Sequence, residues 1–502
     1  MSENILIRGV NWVGDAVMTL PAIKAIRKSM PGRKLHLLVK PWVSPVFEKD
    51  PHIDEIILYD DRYQGIRGKY RLSKTLKEKG FSLAILLQNA FDAALITYLA
   101  GIPERIGYAR DKRGFLLTKP IPYEGEDRKM HHIDYYLELL KRAGIDAPFS
   151  EPWLYLSMEE RLWARDILKD MKRPVIGISP AASYGPAKHW RAERFAKVAK
   201  RIIKELNGSV VIFGKGITDA TVQLSQISND KTRLLYMVDK TTLRELIALI
   251  SECDALLTTD SGPMHIGYAV KTPLIAIFGS TDPSLTGPVG KGNIVIKKDI
   301  ECSPCFEREC KKPQMRCMEE ITAEEVFNAI KSLLPKNKAV FFDRDGTLCK
   351  EANYLNNWDD FKVFPEVSSL KLLKDNNFKL IGVTNQSGIA RGIVDEGFVR
   401  QVNALFIDEY GFDDFYYCPH LPEEHCPCRK PEPEMLLQAR VEHGIDLKGS
   451  YVVGDKEIDM LLAKAVGAKG ILVQTGQERE SSTADFIARD LNEAVNWILN
   501  TL

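Results

Sequence analysis

The chain has 502 residues, 45% of them hydrophobic, and 69 Lys and Arg against 68 Asp and Glu give a formal net charge of +1. That length is too great for one core and predicts about three domains, while the balanced charge argues against a general nucleic-acid binder. No uninterrupted apolar run is long enough to cross a bilayer, and the N-terminus enters a strand without a signal-peptide pattern, so a cytoplasmic protein is expected.

Ile5 to Ile7 reads as the first strand, followed by Gly9-Val-Asn11-Trp12-Val13-Gly14-Asp15 and a helix from Val17 to Lys28. Glycines at such a turn let the backbone approach a ligand. Asp15, where the helix begins, is either an N-cap or a general base for a sugar hydroxyl. Strands at Leu35 to Val39, Glu55 to Tyr59, Leu83 to Leu87 and Arg105 to Gly107 alternate with helical segments, the rhythm of a doubly wound parallel sheet. Between them Arg62, Arg67, Lys69, Arg71, Lys74, Lys77 and Lys79 form a solvated helix face or a surface for an anionic acceptor at a membrane. His131 and His132 have no obvious partner residues and read as structural.

A second alternating unit opens near Arg173 with a strand from Pro174 to Ser179, then a polar loop from Ala181 to Trp190 that bears Lys188. A helix from Ala192 and a strand at Val210 to Phe213 follow. Asp260-Ser261-Gly262-Pro263-Met264-His265 forms another strand-to-helix turn. Its proline suits a first helical turn, and its free N–H groups suit phosphate. Lys188 and this helix start are expected to share a diphosphate leaving group and neutralise its developing charge.

Two similar α/β halves carrying Gly-Asp-Ala-Val-Met-Thr-Leu-Pro at Asp15, Gly-Pro-Ala-Lys-His-Trp at Lys188 and Asp-Ser-Gly-Pro-Met-His at Asp260 resemble the family 9 heptosyltransferases of the GT-B fold. The resemblance covers most of residues 1–335 and implies an acceptor-side domain at 1–168 and an ADP-heptose-binding domain at 169–335. It implies that Asp15 is the base, that Lys188 contacts the donor diphosphate or heptose, and that Asp260, Ser261, Gly262 and His265 line the ADP-heptose site. Transfer to a lipopolysaccharide core acceptor would then need no metal and at most peripheral contact with the inner face of the inner membrane. Pro263 stands where some members carry Leu or Thr.

Cys302, Cys305, Cys310 and Cys317 follow, close enough to hold zinc or an iron–sulfur centre, or to remain thiols or disulfides. A capping box at Thr322 to Glu325 opens a helix, and Leu334 to Lys338 is a short linker.

Beyond it, the apolar run Ala339 to Phe342 delivers Asp343 and Asp345, two apart and so on one side of an extended backbone, before a turn at Gly346. Three more motifs come in order: Thr384-Asn385-Gln386-Ser387 after an apolar strand, Arg429-Lys430, and Gly454-Asp455-Lys456 after another strand. Cys418, His420, Cys426 and Cys428 fit a closed tetrahedral zinc site that pins a loop. His425 competes with His420, which the Cys-Pro-His arrangement favours; a disulfide is disfavoured in a cytosolic chain.

These motifs resemble the capless haloacid-dehalogenase phosphatases, in particular the heptose bisphosphate branch, and place the third domain at 338–502. The resemblance implies that Asp343 attacks phosphorus to form an aspartyl-phosphate, while Asp345 protonates the leaving oxygen and then activates water. A carboxylate neighbour is expected to raise the pKa of Asp345. Asp343, Asp345 and Asp455 would hold Mg2+. Thr384, Asn385, Gln386, Ser387, Arg429, Lys430 and Lys456 would hold phosphate and substrate, with Glu351 and Tyr354 touching the sugar. Asp459, one helical turn past Asp455, reads as a cap or supporting residue.

The sequence therefore predicts a fused enzyme: heptosyl transfer from ADP-L-glycero-D-manno-heptose to the lipopolysaccharide inner core, and removal of the 7-phosphate from D-glycero-D-manno-heptose 1,7-bisphosphate. The alternatives are a phosphatase for histidinol phosphate or another sugar phosphate, and a first half that only senses sugar nucleotides.

Overall fold

The computed structural model describes residues 4–180 and 185–501. Ala181 to Tyr184 of the predicted Lys188 loop lie outside the described residues. The chain divides into two compact units, Met1–Leu333 and Leu334–Leu502.

Three six-stranded sheets, all parallel, organise the units. The first contains β1 (Asn4–Arg8), β2 (Lys34–Val39), β3 (Glu55–Leu58), β4 (Leu83–Leu86), β5 (Glu104–Tyr108) and β6 (Lys119–Ile121). The second contains β7 (Val175–Ser179), β8 (Ser209–Ile212), β9 (Leu234–Tyr236), β10 (Ala255–Thr259), β11 (Leu274–Ile277) and β12 (Asn293–Ile296). The third, in the second unit, contains β13 (Lys338–Phe342), β14 (Phe378–Asn385), β15 (Asp414–Cys418), β16 (Tyr451–Gly454), β17 (Lys469–Val473) and β18 (Phe486–Ala488).

The central strands read clearly because helices cover both faces of a parallel sheet, so nearly every position is apolar. Ile5, Leu6 and Ile7 are fully buried, as are Val340 and Phe341. β6 was not expected. It is three residues long and contains Pro120, which cannot donate to a ladder and so belongs at an edge.

Each sheet has the same topology. In order they run β3-β2-β1-β4-β5-β6, β12-β11-β10-β7-β8-β9 and β15-β14-β13-β16-β17-β18. In each, the sheet's first strand lies beside its fourth, and connections leave that pair in opposite directions. The crevice outside the carboxyl ends of such a pair is where open α/β folds bind ligands. Within the first unit one hydrophobic cluster runs from Ile5 to Phe278 and joins both sheets. The second unit has its own core around Val340, Phe342, Leu380 and Phe406.

One predicted helix is two. Val13–Met18 ends at Thr19, whose hydroxyl donates to the Ala16 carbonyl, and Leu20–Ser29 begins with Pro21 in its first turn. Proline lacks the N–H an uninterrupted helix would require, so the chain restarts there. Asp15 is consequently not an N-cap. It lies in the first turn of the shorter helix, with Trp12 at the cap.

Candidate functional sites

In the first unit, the helix Val13–Met18 that follows β1 meets the helix Gly262–Ala269 that follows β10. The approach is close. A Cβ on Gly14 would lie 2.7 Å from His265 Cδ2, so only glycine fits there. Asp15 is thereby held at the junction of the two lobes, half-buried, with Oδ1 3.7 Å from His132 Nδ1. His132, read from the sequence as structural, is thus the nearest cation-forming neighbour of Asp15. His131 caps its own helix and pairs through Nε2 with the Gly287 carbonyl oxygen at 3.0 Å.

Lys188 and Asp260 come together as predicted, but as partners of each other. The buried Lys188 ammonium donates to Asp260 Oδ2, which also accepts the Thr281 hydroxyl at 2.6 Å. Thr281 was not read from the sequence. Ser261 caps the helix Gly262–Ala269 in extended conformation, and its hydroxyl donates to the Thr259 carbonyl. His265 is buried, with Nδ1 3.1 Å from the Tyr268 hydroxyl. Burial lowers its pKa to about 4, against the upward pull of Asp260 and Asp15, so the ring is neutral at physiological pH. Cys302, Cys305 and Cys310 are exposed and Cys317 is buried. All four are free, and among the described residues they do not gather as a ligand group.

In the second unit, Asp343 leaves the end of β13, and its Oδ1 accepts from Lys430 Nζ at 2.7 Å. The same ammonium donates to Asp459 Oδ1 at 2.7 Å and to the Val383 carbonyl at 3.1 Å. Lys430 is fully buried. Burial alone would lower its pKa, but Asp343 and Asp459 outweigh that and raise it. Asp343, Asp455 and Asp459 offer oxygens that all lie within 4.8 Å of one another. Asp455 Oδ1 is buried with no hydrogen-bond partner, and burial together with the Asp343 charge pushes its pKa up to about 7. Burial also lifts Asp459 to about 6, against the pull of Lys430. Three hard oxygen donors, one of them orphaned, facing one ammonium fit a divalent cation such as Mg2+. Gly346, at φ 90°, turns the chain directly under Asp455, whose carboxylate a Cβ would strike.

One expectation for Asp345 is corrected. Its carboxylate lies outside the trio, which Asp459 completes. It is held by Arg344 through Nε at 3.1 Å and Nη2 at 2.9 Å, and by Gln386 Nε2 at 2.7 Å. Contrary to expectation, its pKa is not raised. Burial pushes it up, but the adjoining Arg344 guanidinium and these hydrogen bonds prevail and hold it below the usual carboxylate range. Arg344 itself is buried and anchored to Asn403 Oδ1 at 3.2 Å.

The other predicted residues surround this centre. Thr384 is buried and its hydroxyl accepts from Gln386, while Asn385 clamps the Lys430 backbone in both directions, at 3.1 and 3.3 Å. Ser387 is half-buried in the turn after β14. Arg429 donates to the His420 carbonyl at 3.3 Å. Lys456 Nζ reaches Glu351 Oε2 at 3.1 Å, and Tyr354 is exposed at φ 72°.

Cys418, His420, Cys426 and Cys428 converge, with ligand atoms all within 4.8 Å. His420 Nδ1 lies 3.6 Å from Cys418 Sγ and 3.5 Å from Cys428 Sγ. The imidazole in this group is His420 rather than His425, which is exposed. Three thiols outside any disulfide and one ring nitrogen fit a zinc-class ion. The loop they would fix carries Arg429 and Lys430.

Residues 69–316 match the profile of glycosyltransferase family 9 (heptosyltransferase), and residues 427–494 match a HAD-hydrolase-like profile. The chain is 30% identical over 312 residues to lipooligosaccharide heptosyltransferase 2 of Haemophilus influenzae, covering 59% of this chain and 88% of that protein. It is 41% identical over 178 residues to D-glycero-beta-D-manno-heptose-1,7-bisphosphate 7-phosphatase of Haemophilus ducreyi, covering 32% of this chain and 98% of that one. The solved structure of E. coli ADP-heptose LPS heptosyltransferase II is 26% identical, with a TM-score of 0.57, and covers 66% of this chain and 98% of its own. The first unit therefore belongs to the family 9 heptosyltransferases and the second to the haloacid-dehalogenase-type heptose bisphosphate phosphatases.

Proposed function

We propose a bifunctional enzyme of lipopolysaccharide heptose metabolism, in which the second unit removes the 7-phosphate of D-glycero-β-D-manno-heptose 1,7-bisphosphate and the first transfers heptose from ADP-L-glycero-D-manno-heptose to the inner core. The observation that carries this reading is that each unit matches nearly the whole of a relative with one of these activities, and that each presents its polar centre at a switch point of its sheets.

In the phosphatase unit Asp343 attacks phosphorus in line, and the bond to the sugar oxygen breaks as the aspartyl-phosphate forms. Lys430 fixes the Asp343 carboxylate and offsets negative charge on the phosphoryl oxygens, aided by the Thr384 hydroxyl and Lys456. Asp345 gives a proton to the departing sugar oxygen and later takes one from the water that cleaves the acyl phosphate. Arg344 and Gln386 keep its carboxylate aimed, so in the resting site it is an anion that takes up its proton as substrate arrives. Asp343, Asp455 and Asp459 would hold the Mg2+ used generally by haloacid-dehalogenase phosphatases, which would supply charge neutralisation for the phosphate. A zinc-class ion in the Cys418, His420, Cys426 and Cys428 group would be structural, since four protein ligands leave no position for substrate.

In the transferase unit Asp15 removes the proton of the acceptor hydroxyl, which displaces the nucleoside diphosphate with inversion. Lys188, drawn from Asp260 toward the diphosphate, and the N–H groups at the start of the helix Gly262–Ala269 stabilise the leaving group. Ser261, Gly262 and the neutral His265 line the donor side.

Parallel phosphate-release assays with heptose bisphosphate and histidinol phosphate, beside heptosyl transfer from ADP-heptose to core oligosaccharide, test the reading. Preference for histidinol phosphate would overturn the phosphatase assignment. Transfer to no heptose acceptor would overturn the other.

A further inference from the structure

The strand β17 ends at Val473, and the turn after it, Gln474 to Glu478, belongs to none of the motifs read from the sequence. It lies against Asp455. The Gln477 backbone N–H donates to Asp455 Oδ2 at 2.9 Å, and the next N–H, that of Glu478, donates to the Asp455 carbonyl at 3.1 Å. A Cβ on Gly476 would strike the Asp455 carboxylate, as one on Gly346 would. Unlike Gly346, Gly476 has no left-handed φ, so the close approach alone demands glycine there. The Thr475 hydroxyl donates to the Gly346 carbonyl at 2.8 Å. One short turn therefore holds both loops that carry carboxylates of the cation site.

The consequence is a choice between two oxygens. A carboxylate can offer either one to a cation. Here Oδ2 is committed to the Gln477 N–H, while Oδ1 is buried with no hydrogen-bond partner. A backbone N–H also carries no net charge, so it orients the carboxylate without competing with a cation for it.

The same residue reaches the substrate side. Gln477 Nε2 donates to Glu351 Oε2 at 3.2 Å, an oxygen that Lys456 Nζ also reaches at 3.1 Å. The Asn353 N–H takes the other oxygen, Oε1, at 3.1 Å. Gln477 is exposed, so its amide meets Glu351 where solvent and substrate have access.

We infer that the turn Thr475 to Gln477 is a positioning element of the phosphatase: Gly476 and the Gln477 N–H turn Asp455 Oδ1 toward the divalent cation, and the Gln477 amide aims Glu351 at the sugar. The inference rests on the phosphatase reading and deepens it. Thr475 keeps the turn in place by tying it to the loop that follows Asp343.

Mn2+, which shares the oxygen preference of Mg2+ and is counted by electron paramagnetic resonance, probes the full chain directly. Asp455→Asn defines the share of bound ion that belongs to this site. Gly476→Ala and, separately, the shape-conserving Thr475→Val should each weaken that share by about 10- to 100-fold. If circular dichroism shows Gly476→Ala to be unfolded, Thr475→Val decides. Gln477→Ala keeps the backbone N–H, so Mn2+ binding should hold while KM for heptose bisphosphate rises about tenfold and kcat falls less. Wild-type Mn2+ affinity in both turn variants, Mn2+ binding that Asp455→Asn does not reduce, or an unchanged KM in Gln477→Ala would overturn the inference. Preference for histidinol phosphate, with Mn2+ binding weakened as expected, would remove the heptose assignment and leave the turn's hold on the cation standing.

Discussion

The second and third sheets place a buried lysine and a carboxylate at the same topological point, and they differ in charge balance. In the second sheet Lys188 pairs with the Asp260 carboxylate, which Thr281 also donates to. In the third, Lys430 is shared by Asp343 and Asp459 while Asp455 stands beside them with an unpartnered oxygen. Under the proposed transfer, the first arrangement would accept a diphosphate by exchanging Asp260 for it. The second holds surplus negative charge before any phosphate arrives, which neither burial nor one ammonium can sustain. In the proposed function one fold would serve a donor site in one case and a cation-dependent phosphoryl site in the other, with the number of carboxylates as the difference between them.

The largest separation of the two sites should come from Asp343→Asn. The side chain keeps its shape and loses its nucleophilic oxygen, so phosphate release is expected to fall by about 10⁴-fold or more. Heptosyl transfer by the same preparation should be unchanged. Wild-type phosphate release would mean that Asp343 is not the nucleophile.

Lys430→Met sharpens the contrast through stability. It strands two buried carboxylates, which typically costs about 3–5 kcal/mol. Chemical unfolding of the second unit in chelator should report that loss, and added Mg2+ should restore part of it by supplying positive charge. The equivalent change in the second sheet, Lys188→Met, leaves Asp260 its Thr281 partner and should destabilise less. Its effect belongs in transfer kinetics instead, a fall of about 10²-fold in kcat/KM for ADP-heptose. An unaltered transfer rate would remove Lys188 from the donor site.

What the sequence made legible follows the same division. The positions of Asp343, Thr384 and Asp455 at the carboxyl ends of their strands were legible because an apolar run fixes where each emerges. Lys430 was found by its place in an ordered series. Asp459 was read as a cap or supporting residue and is both, since Oδ2 accepts from the Lys456 backbone N–H at 3.3 Å; what its own helix could not show is the ammonium that reaches Oδ1 from a loop 29 residues earlier. Arg344 was passed over because alternation along a strand puts it opposite the two aspartates. The Gly346 turn ends that strand and lets the guanidinium fold back onto Asp345, reversing the expected pKa shift. His132 seemed partnerless for a similar reason: its approach to Asp15 arises from packing of the helix His132–Arg142 against Val13–Met18, a contact between segments more than a hundred residues apart in sequence.

The smallest effect expected per unit of change is the acid response of the first unit, and it originates at His265. The folded ring titrates near 4, whereas an unfolded histidine titrates near 6.5. Because the folded pKa is depressed, the stabilisation is complete above 6.5. As pH falls below that, the unfolded chain takes up a proton the folded site refuses, at about 1.4 kcal/mol per pH unit, reaching about 3 kcal/mol near pH 4. His131, also lowered chiefly by burial, contributes in the same direction. The difference in unfolding free energy between wild type and His265→Asn, followed from pH 7.5 down to 4.5, isolates the His265 share from the carboxylates that titrate nearby. A difference that narrows as pH falls is the expected result, since the variant has no imidazole to resist protonation. A difference independent of pH would place His265 in solvent and undo the close seating against Gly14 that positions Asp15.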